Sequence, residues 1–119
     1  MGLNKPSIRT AIPKRRYRFG EFNIVFLGEI DSGDANHYEF IAAFLREGEV
    51  DPGIYLTAER NPPSSRDQGR YGMRLIMRDG AQVVRSSDDW RDLDAFVEAV
   101  LDVARSLLKL DDEQPFRLQ

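Results

Sequence analysis

The chain has 119 residues, no cysteine and a formal net charge of −3, with 41% apolar and 31% charged residues. This length predicts one domain with one core, and the composition is typical of a globular protein rather than of a membrane or disordered chain. The absence of cysteine excludes disulfides and thiolate metal ligands, and the start MGLNKPS lacks the apolar segment of a secretory signal. We therefore expect a cytoplasmic protein.

The charge is distributed unevenly along the chain. Residues 1–20 contain six basic residues and no acidic one, so the rest of the chain carries the acidic excess. A basic segment on an acidic body is typical of proteins that contact a polyanion, but it can also fold back onto the protein's own carboxylates. Composition alone leaves both interpretations open.

The predicted elements follow an N-terminal basic arm, residues 1–13, which is proline-containing and without apolar periodicity, so we expect it to be flexible. Residues 22–30 have apolar side chains at both odd and even positions, which predicts a strand with both faces covered, at least in part. Residues 37–46 and 54–60 alternate and predict two more strands, although the first of these patterns does not exclude a helix. A proline-rich loop is predicted for residues 61–70.

The segment GMRLIMRDGAQVVRSS predicts a β-hairpin. Its two alternating runs are joined by Asp79-Gly80, a pair that suits a two-residue type I′ turn. This turn predicts a register in which Arg74 faces Arg85, with Arg78 on the same outward face. The opposite face of the hairpin is apolar and is expected to lie under a helix.

A helix is predicted for residues 87–110, where apolar residues repeat at spacings of three and four. Ser86 or Ser87 is the predicted cap, and aspartates fill the first turns, as the helix dipole favours. One such helix covers one face of an antiparallel sheet of about five strands. The predicted fold class is therefore α+β, a single antiparallel meander with one long C-terminal amphipathic helix, forming a domain of residues 14–110 before an acidic tail of residues 111–119.

The sequence contains no catalytic motif. Its single histidine, His37, has no second imidazole as a partner, and the acidic residues fall mostly on positions predicted to face solvent. Acid–base or nucleophilic catalysis needs a group with a tuned pKa beside a partner, and a metal needs several ligands at suitable spacing. We therefore predict no enzyme activity, no cofactor and no metal site. A deep polar pocket containing His37 and two carboxylates would contradict this prediction.

The candidate binding residues lie in two basic segments. In KRRYRFG, cations alternate with aromatic rings, as in proteins that hold single-stranded nucleic acid by charge along its backbone and by stacking on its bases. The hairpin adds arginines, whose planar forks can bind phosphate oxygens at two points. The candidate nucleic-acid-binding residues are Lys14, Arg15, Arg16, Tyr17, Arg18, Arg74, Arg78 and Arg85.

Both segments also have a purely structural interpretation. In the first, the rings pack in the core as ordinary strand residues while Arg16 and Arg18 face solvent. In the hairpin, a carboxylate of the protein itself, such as Glu59 or Asp88, neutralises the opposed arginines, which would otherwise be mildly destabilising.

The order of elements resembles a known family. A basic N-terminal segment, an antiparallel meander and the segment VVRSSDDWRDLDAFVEAV, a strand leading through serines into a Trp-bearing helix, are similar to the Whirly and positive-cofactor group of single-stranded-DNA-binding transcriptional regulators. The resemblance covers residues 14–110 in topology. It implies a sheet face that binds single strands and a dimer formed through the helix or a sheet edge. The lysine-glycine DNA-binding motif of Whirly proteins is absent, so no functional position is carried over.

The sequence thus predicts a non-enzymatic binding module. A Trp-led apolar stripe longer than one small sheet can cover predicts a homodimer; the alternative is a helix whose ends overhang the sheet, with Leu107 and Leu108 packed by Phe116. One predicted partner is single-stranded nucleic acid, which the acidic net charge disfavours. The alternative is a protein-interaction or oligomerisation module, in which the basic arm meets an acidic protein and the sheet face or edge completes the interface. No apolar segment is long enough to predict a membrane span.

Overall fold

The computed structural model describes residues 5–34, 36–62, 64 and 69–118. Within these residues, seven strands form one antiparallel sheet of order β6-β5-β4-β3-β2-β1-β7, and one helix follows β6. The α+β class and the single antiparallel sheet are confirmed. The elements are β1 (Ile8–Phe19), β2 (Phe22–Ser32), β3 (Tyr38–Arg46), β4 (Ile54–Arg60), β5 (Tyr71–Met77), β6 (Gly80–Ser87), α1 (Leu93–Leu107) and β7 (Phe116–Arg117).

The sheet has seven strands rather than about five, because segments outside the predicted meander add to it. Strand β1 begins at Ile8, inside the segment predicted to be an arm, and pairs with β2 along its length. Pro13 is tolerated in β1 because it lies on an edge strand, beside a register shift, where its missing N–H is not needed. Strand β7 lies in the predicted acidic tail and pairs with the end of β1. Residues 1–4 of the predicted arm and residue 119 of the tail lie outside the described residues.

The main hydrophobic core lies between α1 and one face of the sheet, here called the helix face. Phe96 of α1 is at its centre, where the rings of Phe26, Phe40 and Trp90 pack around it at centroid distances of 6.1, 5.6 and 6.2 Å. Contacts of this kind add about 0.5–1.5 kcal/mol each beyond the burial of apolar area. Val97, Val100 and Ala104 of the predicted apolar stripe are buried, and Phe96, which the predicted stripe did not include, is buried with them.

Helix α1 is shorter than predicted. It has 15 residues and begins at Leu93, with Asp92 as its N-cap. Ser86 and Ser87 cannot cap it, because both are paired with β5 at the end of β6. The Ser87 hydroxyl instead accepts a hydrogen bond from the N–H of Asp89 at 3.0 Å. The serines therefore end the strand and begin the turn that leads into the helix.

The hairpin of β5 and β6 has a two-residue turn, but it lies one residue earlier than predicted and lacks the positive φ angles of the predicted type I′ turn. Met77 pairs with Gly80, so the turn residues are Arg78 and Asp79. The turn was predicted at Asp79-Gly80 because of that residue pair, but the apolar alternation does not distinguish it from a turn at Arg78-Asp79. Both turn positions place the same β5 side chains under the helix.

A bulge separates the two hairpin arginines that were predicted to face each other. Arg74 lies opposite Val83, whereas Arg85 lies opposite Met73, so Val84 is the extra residue. Because a bulge inserts one residue into one strand only, it changes which side chains share a face. Arg74 consequently lies on the sheet face away from the helix, and Arg85 lies on the helix face. The predicted pairing of these two arginines was wrong.

The sheet face away from the helix, here called the outer face, has its own apolar cluster. Ile8 and Ile30, from the far end of the β1–β2 hairpin, pack against it. Three register shifts interrupt that hairpin, and such irregularities bend a strand. The cluster consists of buried Tyr38, Ile41, Ala43, Tyr55 and Ile76.

Candidate functional site

The first basic segment lies on β1, where its residues divide between the two faces of the sheet. Tyr17 pairs with Ile24 on the helix face, and its ring packs edge-on against Phe26 at a centroid distance of 5.6 Å. The ring is therefore half-buried against the core, as in the structural interpretation, rather than fully presented for stacking on a base. Arg16 and Arg18 alternate with Tyr17 and lie on the outer face.

Three cations of this segment form ion pairs with carboxylates of the protein body. One of these pairs joins β1 to the first turn of α1, and another joins it to the β3–β4 turn at 2.8 Å. The segment therefore folds back onto the acidic surface of its own chain, which was one of the two interpretations left open by composition. The pairs are Lys14 with Glu29, Arg15 with Asp94, and Arg18 with Glu47.

The hairpin arginines do not form a cluster. Arg74 pairs with Glu59 of β4, so the carboxylate predicted as its neutralising partner is confirmed. Arg85 pairs with Asp102 of α1 at 3.0 Å, on the opposite face of the sheet. Arg78 lies in the turn. The eight candidate nucleic-acid-binding residues are thus spread over two faces and a turn rather than gathered at one surface.

A hydrogen-bond network that the sequence did not predict surrounds Arg74 on the outer face. The hydroxyl of the fully buried Thr57 donates to the Glu59 carboxylate at 2.6 Å and accepts from the Arg74 N–H at 3.2 Å. The Arg74 guanidinium donates to the same carboxylate and to the Tyr38 hydroxyl. Burial alone would lower the pKa of Arg74, but Glu59 outweighs it and raises the pKa, so the guanidinium stays charged.

Tyr38 extends this network to the β2–β3 turn. Its hydroxyl donates to Asp34 at 2.9 Å, and Asp34 also accepts the N–H groups of Ser7 and Asn36. Burial, helped by the Asp34 carboxylate, raises the pKa of Tyr38 to about 12. Partial burial raises the pKa of Asp34, but the hydrogen bonds outweigh it and leave that pKa below its usual value. Near neutral pH the network therefore contains a neutral tyrosine between a carboxylate and an arginine.

An open cleft of about 640 Å³ lies beside this network, where β2 ends and β3 begins. The His37 side chain lines it, but is exposed to solvent and makes no hydrogen bond within the described residues. No group of three or more acidic or histidine side chains in the described part of the chain could hold a metal ion. The cleft is open to solvent and brings His37 together with several carboxylates. Its charged walls are formed by Lys14, Glu29, Asp31, Asp34, Glu39 and Arg60.

The two edges of the sheet are built differently. The β1 edge carries Pro13, three register shifts and several cations, and β7 covers its end. The β6 edge has eight residues, six of them exposed, and Arg85 is its single charged side chain. Val83, in the middle of β6, is 68% exposed. An exposed edge strand with few charges, no proline and no cover offers its backbone N–H and C=O groups to another strand.

Comparisons with protein-family models, with curated proteins and with solved structures found no match to this chain. The resemblance to the Whirly and positive-cofactor group therefore stays a prediction from the order of elements. In the part of the chain that the structure describes, no helix combines the length and the apolar character needed to cross a membrane.

Proposed function

We propose that this protein is a non-enzymatic protein-interaction module that pairs a strand of another polypeptide with the β6 edge of its sheet. The observation that carries this proposal is the contrast between the bare β6 edge and the protected β1 edge of the same sheet. In strand addition of this kind, main-chain hydrogen bonds supply affinity and contacts of alternate side chains supply specificity.

The backbone of Ala81 and Val83 provides the expected contacts. Met77 and Gly80 close the two-residue turn as a hydrogen-bonded pair, and such pairs alternate with non-bonded ones along an antiparallel ladder. The N–H and C=O groups of Ala81 and Val83 are therefore directed away from β5. A partner strand along this edge would donate to these carbonyl groups and accept from these N–H groups.

The test uses decapeptides selected from a displayed library on the wild-type protein, with affinities measured by fluorescence anisotropy at nanomolar protein concentration. We expect Val83→Pro to weaken binding about tenfold or more, since proline removes the outward N–H of one hydrogen bond and its ring blocks close approach. Proline is tolerated on an edge strand where that N–H faces solvent, so the fold should be preserved. The matched control is Val83→Thr, which keeps the N–H and the β-branched shape and should bind as the wild type does.

Two results would contradict the proposal. One is a selection that yields no binding peptide. The other is a set of peptides that bind Val83→Pro as tightly as the wild type, while circular dichroism and the melting temperature show that the variant is folded. Either result would mean that the exposed edge is not a docking site for strands.

Single-stranded nucleic acid is a second candidate ligand, and one observation favours it. Phe116 of β7 lies directly beside Arg18 on the outer face and is 66% exposed. An exposed ring beside a cation is the arrangement on which a base can stack while charge holds its phosphate. The candidate is weaker than strand pairing because Arg18 is already paired with Glu47, and because the chain is acidic overall.

A fluorescent oligonucleotide titrated at two salt concentrations separates the two candidates. A protein-interaction module should show no binding even at low salt. A nucleic-acid site should show affinity that falls steeply with salt, and the substitutions Arg16→Ala and Arg18→Ala should weaken it for every sequence and flatten the slope by up to about two. Phe116→Ala would then weaken binding without changing the salt slope, since it removes stacking only.

A further inference from the structure

We infer that the strand received by the β6 edge is β6 of a second copy of this chain; this inference rests on the proposed strand pairing and names its partner. The two copies would be related by a two-fold axis perpendicular to the sheet, with their β6 strands antiparallel. The result is one continuous sheet with twice the seven strands of a single chain and with both helices on the same side.

Backbone geometry selects the register of this pairing. A register centred on Gln82 places Ala81 opposite the partner's Val83, and Val83 opposite the partner's Ala81. These are the residues whose N–H and C=O groups are directed away from β5, so both pairs can form hydrogen bonds. Ala81 and Val83 lie opposite Ile76 and Arg74 and so share the outer face. The exposed Val83 side chain would thus gain an apolar neighbour across the interface.

The charges along this edge do not oppose a second copy. In the same register, Arg85, which pairs with Asp102 of its own chain, lies at the level of the partner's hairpin turn, which contains the partner's Asp79 beside the partner's Arg78. The two-fold axis repeats this arrangement at the other end, and the side chains of Arg85 and Asp79 are exposed. No like charges oppose each other along β6, whose single charged residue is Arg85. The strand is therefore complementary to itself in backbone hydrogen bonding, and its charges do not repel a second copy.

The opposite edge of the sheet lacks this self-complementarity. Strand β7 already pairs with Tyr17 and Arg18 of β1, so this part of the edge cannot receive a second copy. Pro13 and the register shifts further interrupt the ladder. Self-association should therefore use β6 alone, and should stop at a closed dimer rather than continue as a filament.

The experiment is light scattering on the full chain at tens of micromolar. We expect the wild type to have twice the chain mass of 13.7 kDa. Val83→Lys should give the single-chain mass, because it places one lysine from each copy close to the symmetry axis. The matched control is Ile12→Lys on the β1 edge, where the native side chain is 48% exposed. It adds the same charge and should leave the dimer intact.

Val83→Pro provides a second variant, because it removes an interface hydrogen bond without adding charge. Dimeric Ile12→Lys together with single-chain mass for both Val83 variants supports the inference. A wild type that stays at the single-chain mass overturns it, yet leaves strand pairing to be judged by peptide binding. A wild-type dimer that persists in both folded Val83 variants overturns it as well, since the interface would then lie elsewhere. Only the peptide experiment rejects the proposed function, either because no peptide is selected or because the selected peptides bind Val83→Pro as tightly as the wild type.

Discussion

At the scale of single residues, the pair of Arg74 and Glu59 is the least exposed ion pair among the described residues, with side chains 27% and 13% exposed. Removing either partner leaves the other charge poorly hydrated, which is more destabilising than losing a surface pair. We expect a double-mutant cycle of Arg74→Met and Glu59→Gln, measured by urea unfolding, to give a coupling energy of about 1–2 kcal/mol.

The pair of Arg46 and Glu21 is the matched control for this cycle. Its side chains are 53% and 57% exposed, so solvent screens their attraction. The same cycle at these two positions should give a coupling energy of about 0.2–1 kcal/mol, the usual range for exposed surface pairs. Equal coupling energies at the two sites would mean that burial in the outer-face network does not strengthen the Arg74 pair.

Tyr38 should set an alkaline limit to stability. Its pKa is about 12 in the folded protein, against an ordinary value of about 10 for an unfolded chain. Because folding favours the protonated hydroxyl, this contribution is fully present below pH about 10 and is lost as the pH rises towards about 12. Burial raises the pKa of Tyr55 as well, so both tyrosines act in the same direction.

The measurement is the melting temperature of the wild type and of Tyr38→Phe across this alkaline range. Phenylalanine cannot ionise, so the variant should lose less stability than the wild type between pH about 10 and 12. At neutral pH the variant should be less stable, because Asp34 and Arg74 each lose a hydrogen-bond partner. If both proteins decline in parallel at high pH, other groups control the alkaline limit.

At the scale of elements, the start of α1 depends on Asp92. Its carboxylate accepts a hydrogen bond from the N–H of Asp94 at 3.3 Å and lies at the positive end of the helix dipole. We expect Asp92→Ala to lower the free energy of unfolding by about 1 kcal/mol. Asp92→Asn keeps the capping oxygen and should lose clearly less. Similar losses for both variants would mean that charge, rather than capping, holds this end of the helix.

The central elements could be predicted because their signal is local. Strand β4 has the predicted bounds, and β2, β3 and α1 were located by alternation or by helical spacing. Thr57 and Glu59 lie two residues apart on β4 and so share the outer face. Their hydrogen-bond network with Arg74 could not be predicted from the sequence, because it depends on which strand lies beside β4. Only the neutralising role of Glu59 was anticipated.

The outer strands and the register could not be predicted because they depend on long-range pairing. Strand β1 has weak periodicity and includes Pro13, and its place in the sheet follows from pairing with β2. One local signal was available: Gly20 has a φ of 60°, a left-handed conformation that suits glycine, in the turn that joins the two strands. The carboxylates that pair with the β1 cations could not be predicted either, because they are distant in sequence, as Asp94 is from Arg15.

At the scale of the whole molecule, the basic N-terminal segment of the sequence forms ion pairs with carboxylates from other parts of the fold. The cations of β1 meet carboxylates on β2, on the β3–β4 turn and on α1, so the basic segment joins three parts of the acidic body. This arrangement neutralises the β1 edge internally. Among the residues that the structure describes, none gives the β6 edge comparable protection, and so the asymmetry of charge becomes an asymmetry between the two edges of one sheet.

Dimerisation through β6 should make the melting temperature depend on protein concentration. Unfolding of a dimer releases two chains, so by mass action the melting temperature should rise by roughly 3 °C for each tenfold increase in concentration, given the usual unfolding enthalpy per residue. Calorimetry over a hundredfold range should detect this slope in the wild type and in Ile12→Lys. Val83→Lys should show a flat line, because its chains unfold singly. A flat line for the wild type would contradict a second copy as the partner, whereas an equal slope in Val83→Lys would exclude β6 as the interface.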